Sequence, residues 1–129
     1  MGEHVCIVVP VYVRQIGMVE EQVCLGVLLR CPSANCYVYR LATDDEAVKK
    51  RVLDFFPKMK RETLERVLDW ASHDIEYTFD LEQNKGDKGA FANLIRPREN
   101  IVRYGEPQAL QTADPASELD RLYHLAVSV

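Results

Sequence analysis

A chain of 129 residues with 47% hydrophobic and 28% charged side chains can build one core and is too apolar to stay disordered, so residues 1–129 read as a single domain. The net charge of −4 gives no general attraction to nucleic acid or anionic membrane and turns attention to protein or small-molecule partners. The apolar run Val5–Val13 falls far short of the roughly 20 residues of a spanning helix, and an acidic start is unlike a secretion signal, so the expected location is the cytoplasm.

His4 to Val13 reads as a strand, valine-rich and apolar at nearly every position, as in a central strand covered on both faces. Pro10 cannot donate to a ladder, so a bulge or an edge is expected there. A second strand, Gln22–Leu29, a turn over Arg30–Asn35 and a third strand, Cys36–Leu41, form a hairpin. Gly26, inside the second strand, marks a bulge or a close approach of another backbone or ligand.

Thr43 opens a helix, three residues ahead of Glu46 in capping-box spacing. Its apolar stripe is Val48, Val52, Phe55 and Phe56, and Pro57 ends it. A longer helix runs from about Lys60 to Phe79, with Leu64, Val67, Leu68, Ala71 and Ile75 on its core face and Trp70 and Tyr77 widening it or burying part of a neighbouring surface. Glu82–Lys88 reads as a polar loop, Gly89–Ile95 as a short helix stopped by Pro97, and Asn100–Tyr104 as a strand. Gly105–Pro107 turns into a short strand, Ala109–Thr112. Asp114 caps a final helix with Pro115 at its first position and Leu119, Leu122, Tyr123 and Ala126 inward. This order predicts an α+β fold: a mainly antiparallel sheet of three to five strands with helices packed on one face.

The four cysteines, Cys6, Cys24, Cys31 and Cys36, read in that compartment as small core residues or, for the Cys31/Cys36 pair about a turn, as half of a metal knuckle with no second half. No metal or other cofactor is expected. Phosphate-loop, dinucleotide, nucleophile-elbow and zinc-protease signatures are absent, which argues against an enzyme. His73 stands one turn from Asp69, a pairing commoner on surfaces than in proton shuttles.

The densest polar cluster is Arg96-Pro97-Arg98-Glu99-Asn100, followed by Arg103 and Tyr104. Prolines fix its geometry, and guanidinium forks suit a carboxylate or a phosphate. It reads either as an anion- or partner-binding patch or as an anchor whose arginines pair with internal carboxylates. Glu21, beside Glu20 ahead of the second strand, is a solvated shoulder or faces the arginines across the sheet. The site set is therefore Glu21, Arg96, Arg98, Glu99 and Arg103.

The run from Phe91 to Tyr104, the Thr112–Tyr123 segment with its Asp-Pro-capped helix, and the strand Glu21–Leu29 with its glycine resemble the bacterial domain of unknown function 3037 family. Cys24 stands where that family usually has asparagine, and the segment Tyr12–Gly17 lacks its arginine and Pro-Asp. Members are often encoded beside HipA-like kinases, so the resemblance implies a small accessory or regulatory module with a protein partner such as such a kinase. The alternative is an enzyme or sensor that takes a phosphate-bearing small molecule, with Glu21 as base and the arginines as clamp.

Overall fold

The computed structural model describes residues 2–15, 21–98 and 100–128. Strands β1 (His4–Gln15), β2 (Glu21–Cys31) and β3 (Cys36–Leu41) come first, then helices α1 (Glu46–Phe55), α2 (Arg61–Lys85) and α3 (Ala90–Ile95). Strands β4 (Val102–Tyr104) and β5 (Gln108–Thr112) and helix α4 (Pro115–Val127) complete the order. The sheet is antiparallel, in the order β3-β2-β1-β4, with β5 on the same flank of β1 as β4. The α+β class and antiparallel sheet expected from the sequence are present.

β1 owes its length to two short partners on one side. Its first half pairs with β5, from His4 opposite Thr112 to Val8 opposite Gln108. Its second half pairs with β4, from Val11 opposite Tyr104 to Val13 opposite Val102. Pro10 sits in the gap between them, and its carbonyl accepts from the Gly105 amide at 2.8 Å. In an antiparallel strand the amide and carbonyl of one residue point the same way. The amide that proline lacks would therefore have met no ladder partner, which is why this strand tolerates it. The β1–β2 register also shifts between Val11 and Tyr12.

Gly26 stands opposite that bulge with φ 153°, and a Cβ there would come within 2.0 Å of the Arg40 carbonyl oxygen. Both readings of this glycine, bulge and close backbone approach, hold at once. Gly105 is similarly confined, because a Cβ would meet Pro10 at 2.7 Å and Tyr12 at 2.8 Å.

Helices cover both faces of the sheet, not one. Tyr39 and Arg40 are neighbours on β3 and so point to opposite faces. The Tyr39 hydroxyl donates to Glu76 on α2 at 2.6 Å, whereas Arg40 pairs with Asp120 on α4 at 2.7 Å. The α2 face holds the main core, with Val9, Val11, Val13 and Leu28 against Leu64, Leu68 and Ile75. The α4 face holds a smaller cluster of Cys6, Leu29 and Cys31, with Leu122 of α4 packed on it. An amphipathic C-terminal helix finds this second apolar face uncovered because the valine-rich strands are apolar on both sides.

Several local expectations shift. Helix α1 is capped by Asp45, which accepts from the Val48 amide at 3.2 Å, because residues Ala42–Asp44 form a 3₁₀ turn and move the helix start past Thr43. Helix α2 continues through Glu82 to Lys85, where a polar loop was expected. Buried Glu82 grips Arg30 of β2 with its carboxylate, at 2.8 Å from Nε, and Gly86 at φ 71° then ends the helix. Phe55 points to solvent while Phe56 fills the core, since Val48, Val52 and Phe56 share one helical line. Trp70 and Tyr77 are each 65% exposed and do not widen the core face of α2. No helix among the described residues is long and apolar enough to cross a membrane.

Candidate functional site

The arginine corner lies where α3 hands the chain to β4. Helix α3 is fixed from below: Phe91 is buried, and the Arg30 guanidinium held by Glu82 lies 5.0 Å from its ring centroid. Pro97 then makes the chain extended, and a side chain from the far end of the sequence pins it. Arg14 on β1, itself buried, donates Nε to the Asn100 carbonyl and Nη2 to the Arg98 carbonyl, each at 2.7 Å. The backbone amide of Arg14 also donates to the Ile101 carbonyl at 2.8 Å. Charge-assisted bonds of this kind are among the strongest a surface segment can make.

Arg96, Arg98 and Arg103 line one recess, with Trp70 and Asp74 of α2 forming its far wall and Tyr104 its floor. The recess offers about 50 Å³. A water occupies roughly 30 Å³ in the liquid, so this room suits one small polar group and not a nucleotide. Arg98 spends part of its fork on Asn93, donating Nη2 to the backbone oxygen at 2.5 Å and to Oδ1 at 3.2 Å. Arg96 makes no ion pair or hydrogen bond among the described residues. The Tyr104 hydroxyl oxygen is buried and also has no hydrogen-bond partner there. Burial pushes its pKa up, the Asp74 charge pushes it further and Arg98 opposes them, so the group stays a neutral donor. An orphaned buried hydroxyl is costly unless something accepts from it.

Glu21 does not join this cluster. It is exposed at the first position of β2 and does not line the recess. Glu99 lies outside the described residues. Sequence reading places Tyr104 at the end of the polar cluster without including it in the candidate site, and it gives Trp70 no part in that site. The available signal was the spacing of Trp70, Asp74 and Tyr77, which share a helical stripe offset from the Leu64–Leu68–Ile75 core face.

A second polar group sits on the other face of the sheet. Arg40 lies 4.1 Å above the Tyr123 ring, and the Tyr123 hydroxyl donates to Asp45 at 2.9 Å. These residues edge an acidic hollow of about 570 Å³ that also includes Asp44 and Glu46. Burial alone would raise the Asp45 pKa. The Tyr123 hydroxyl, the Val48 and Ala47 amides and the Arg40 charge outweigh it and hold this carboxyl below its usual range.

The cysteines are all free thiols. Cys31 and Cys36 face each other directly across β2 and β3, with Cys6 beside them in the same cluster. Burial pushes the Cys6 thiol up to about 12, and hydrogen bonding and charge from Cys31 add to the effect. Such a thiol is a poor nucleophile. Cys24 is half-buried, with burial raising its pKa against the Gly26 and Val11 backbone groups. Among the described residues no group of three or more His, Cys, Asp or Glu is placed to hold a metal ion. His73 and Asp69 are 3.8 Å apart on an exposed stretch of α2.

No curated protein and no solved structure matches the chain. One family does, over residues 8–127, which runs from within β1 to the end of α4 and takes in both polar groups just described. The chain therefore belongs to the family described as Protein of unknown function (DUF3037).

Proposed function

We propose that this protein is a binding module that receives an acidic side chain of a protein partner in the arginine recess. The observation that carries this reading is the combination, in a recess of about 50 Å³, of an Arg96 and a buried Tyr104 hydroxyl that both lack a partner among the described residues. A carboxylate would accept from both. The surroundings support it: Trp70 lines the recess and Tyr77 follows on the same stripe of α2, both large exposed aromatics, and Trp, Tyr and Arg dominate the energetic centres of protein interfaces. The accessory or regulatory role, and a HipA-like kinase as the partner, extend this reading from the family's genomic company.

The clamp-and-base alternative for a phosphate-bearing small molecule finds less support. Glu21 does not line the recess, and the room is too small for more than the anionic group itself.

Trp70 is the chain's single tryptophan, so its emission reports on this rim alone. Titration with a Glu-rich peptide lacking tryptophan should shift that emission with a salt-sensitive affinity. Arg96→Gln with Arg98→Gln should weaken binding about tenfold or more, and Arg98→Ala should dissolve a complex with a HipA-like kinase. Peptide binding that ignores both arginines sinks the proposal.

A further inference from the structure

The connection from α1 to α2 encloses a second, larger space that no part of the binding reading uses. Phe56 caps α1, the Met59 amide returns to the Phe56 carbonyl at 2.9 Å, and α2 begins at Arg61. The loop so formed arches over a pocket of about 470 Å³. That volume is within the roughly 300–1,000 Å³ of ordinary small-molecule sites. Its apolar walls are Phe56, Pro57, Met59 and Ile101. Phe56 is buried and Met59 and Ile101 are half-buried, so these walls are continuous with the core.

The charged groups at this pocket are all of one sign. Lys58 and Lys60 are exposed at it, and their side chains make no ion pair or hydrogen bond among the described residues. The Arg14 guanidinium adds positive charge at the back, and Thr63 offers a hydroxyl. Lys60 is also the N-cap of α2 and gives no side-chain cap, so the positive end of this 25-residue helix adds to the same field. No carboxylate among the described residues lines the pocket. Some other surface cations of this acidic chain are paired: Lys50 with Asp54, Arg61 with Glu46, and Arg121 with Glu118.

We propose that this pocket binds a small organic anion with an apolar body, its carboxylate, sulfonate or phosphate held between Lys58 and Lys60 and its body against Phe56, Met59 and Ile101. An apolar cavity alone would take a neutral hydrocarbon. Two uncompensated ammonium groups at the opening select for negative charge. The site is separate from the arginine recess and does not depend on what that recess binds.

Two fluorescent probes that differ by one charged group test this. The protein is titrated with 8-anilinonaphthalene-1-sulfonate and with its uncharged parent, N-phenyl-1-naphthylamine. One sulfonate probe per chain is expected, about tenfold tighter than the neutral parent, with the difference shrinking as salt rises. Lys58→Gln with Lys60→Gln should erase that preference while leaving the neutral probe's affinity unchanged. Thr63→Phe, at an exposed helix position, should block both probes without loss of the thermal transition. Arg96→Gln, outside the pocket, should change neither. Equal affinity for the two probes overturns the proposal, as does sulfonate binding that survives either the lysine pair's removal or Thr63→Phe.

Discussion

Two clusters of the same ingredients, arginine, tyrosine and an acid, lie on different parts of this molecule and end in opposite states. Around Tyr123 every group is spoken for: the ring carries Arg40, the hydroxyl donates to Asp45, and Arg40 reaches Asp120. Around Tyr104 the hydroxyl is buried without a partner, and Arg96 beside it is unpaired among the described residues. A satisfied polar network rigidifies a fold, whereas an unsatisfied one is retained at a cost to stability. The first cluster holds α4 and α1 onto the sheet; the second is the one proposed above as a binding recess.

Substitutions at the two tyrosines should therefore differ in sign. Tyr123→Ala empties a fully buried site and strands Asp45 and Arg40, so a loss of about 3–5 kcal/mol in denaturant unfolding is expected. A loss under about 1 kcal/mol would mean that the α4 cluster is not structural.

Asp45→Asn should cost about 1 kcal/mol at neutral pH, because the charge facing Arg40 and the helix start disappears. Its pH dependence sharpens the point. The folded-state pKa of Asp45 is depressed. Its contribution is therefore present above the unfolded carboxyl value and is lost as pH falls through the lower folded value. Stability measured from neutral pH down through the acid range should fall less steeply in Asp45→Asn than in the parent chain.

The smallest effect should be the most telling. Tyr104→Phe removes a hydroxyl that has no partner among the described residues, so stability should be unchanged or rise by up to about 1 kcal/mol. Affinity for the acidic peptide should drop at the same time. Destabilisation by this substitution would place Tyr104 in the same structural class as Tyr123 and dissolve the contrast.

How far the sequence revealed these clusters depends on the range of their contacts. The corner around Pro97 was visible because prolines and arginines are local signals. What holds it was not, since Arg14 stands 84 residues from Arg98 and 86 from Asn100. The continuation of α2 was hidden for the same reason: its last turns depend on Glu82 meeting Arg30 across 52 residues. The strands and the core stripe of α2 were legible because apolar periodicity is local. Helices on both faces were not anticipated, although the unbroken valine pattern of β1 already demanded cover on each side. Glu21 was grouped with the arginines on chemistry alone; it stands opposite Gln15 at the start of β2, at the end of the sheet where Arg14 holds the corner, and yet does not line the recess.

The placement of β1 also bears on biogenesis. β1, β2 and β3 pair as consecutive hairpins, but the other flank of β1 is closed only by segments reaching Thr112. On the ribosome the first strand to emerge must wait, one backbone edge bare, until about a hundred further residues have been made. A bare valine-rich edge is a template for pairing with another nascent chain. Pro10 interrupts the donors along that edge, so the residue that accommodates two late-arriving strands also guards against premature self-association during synthesis.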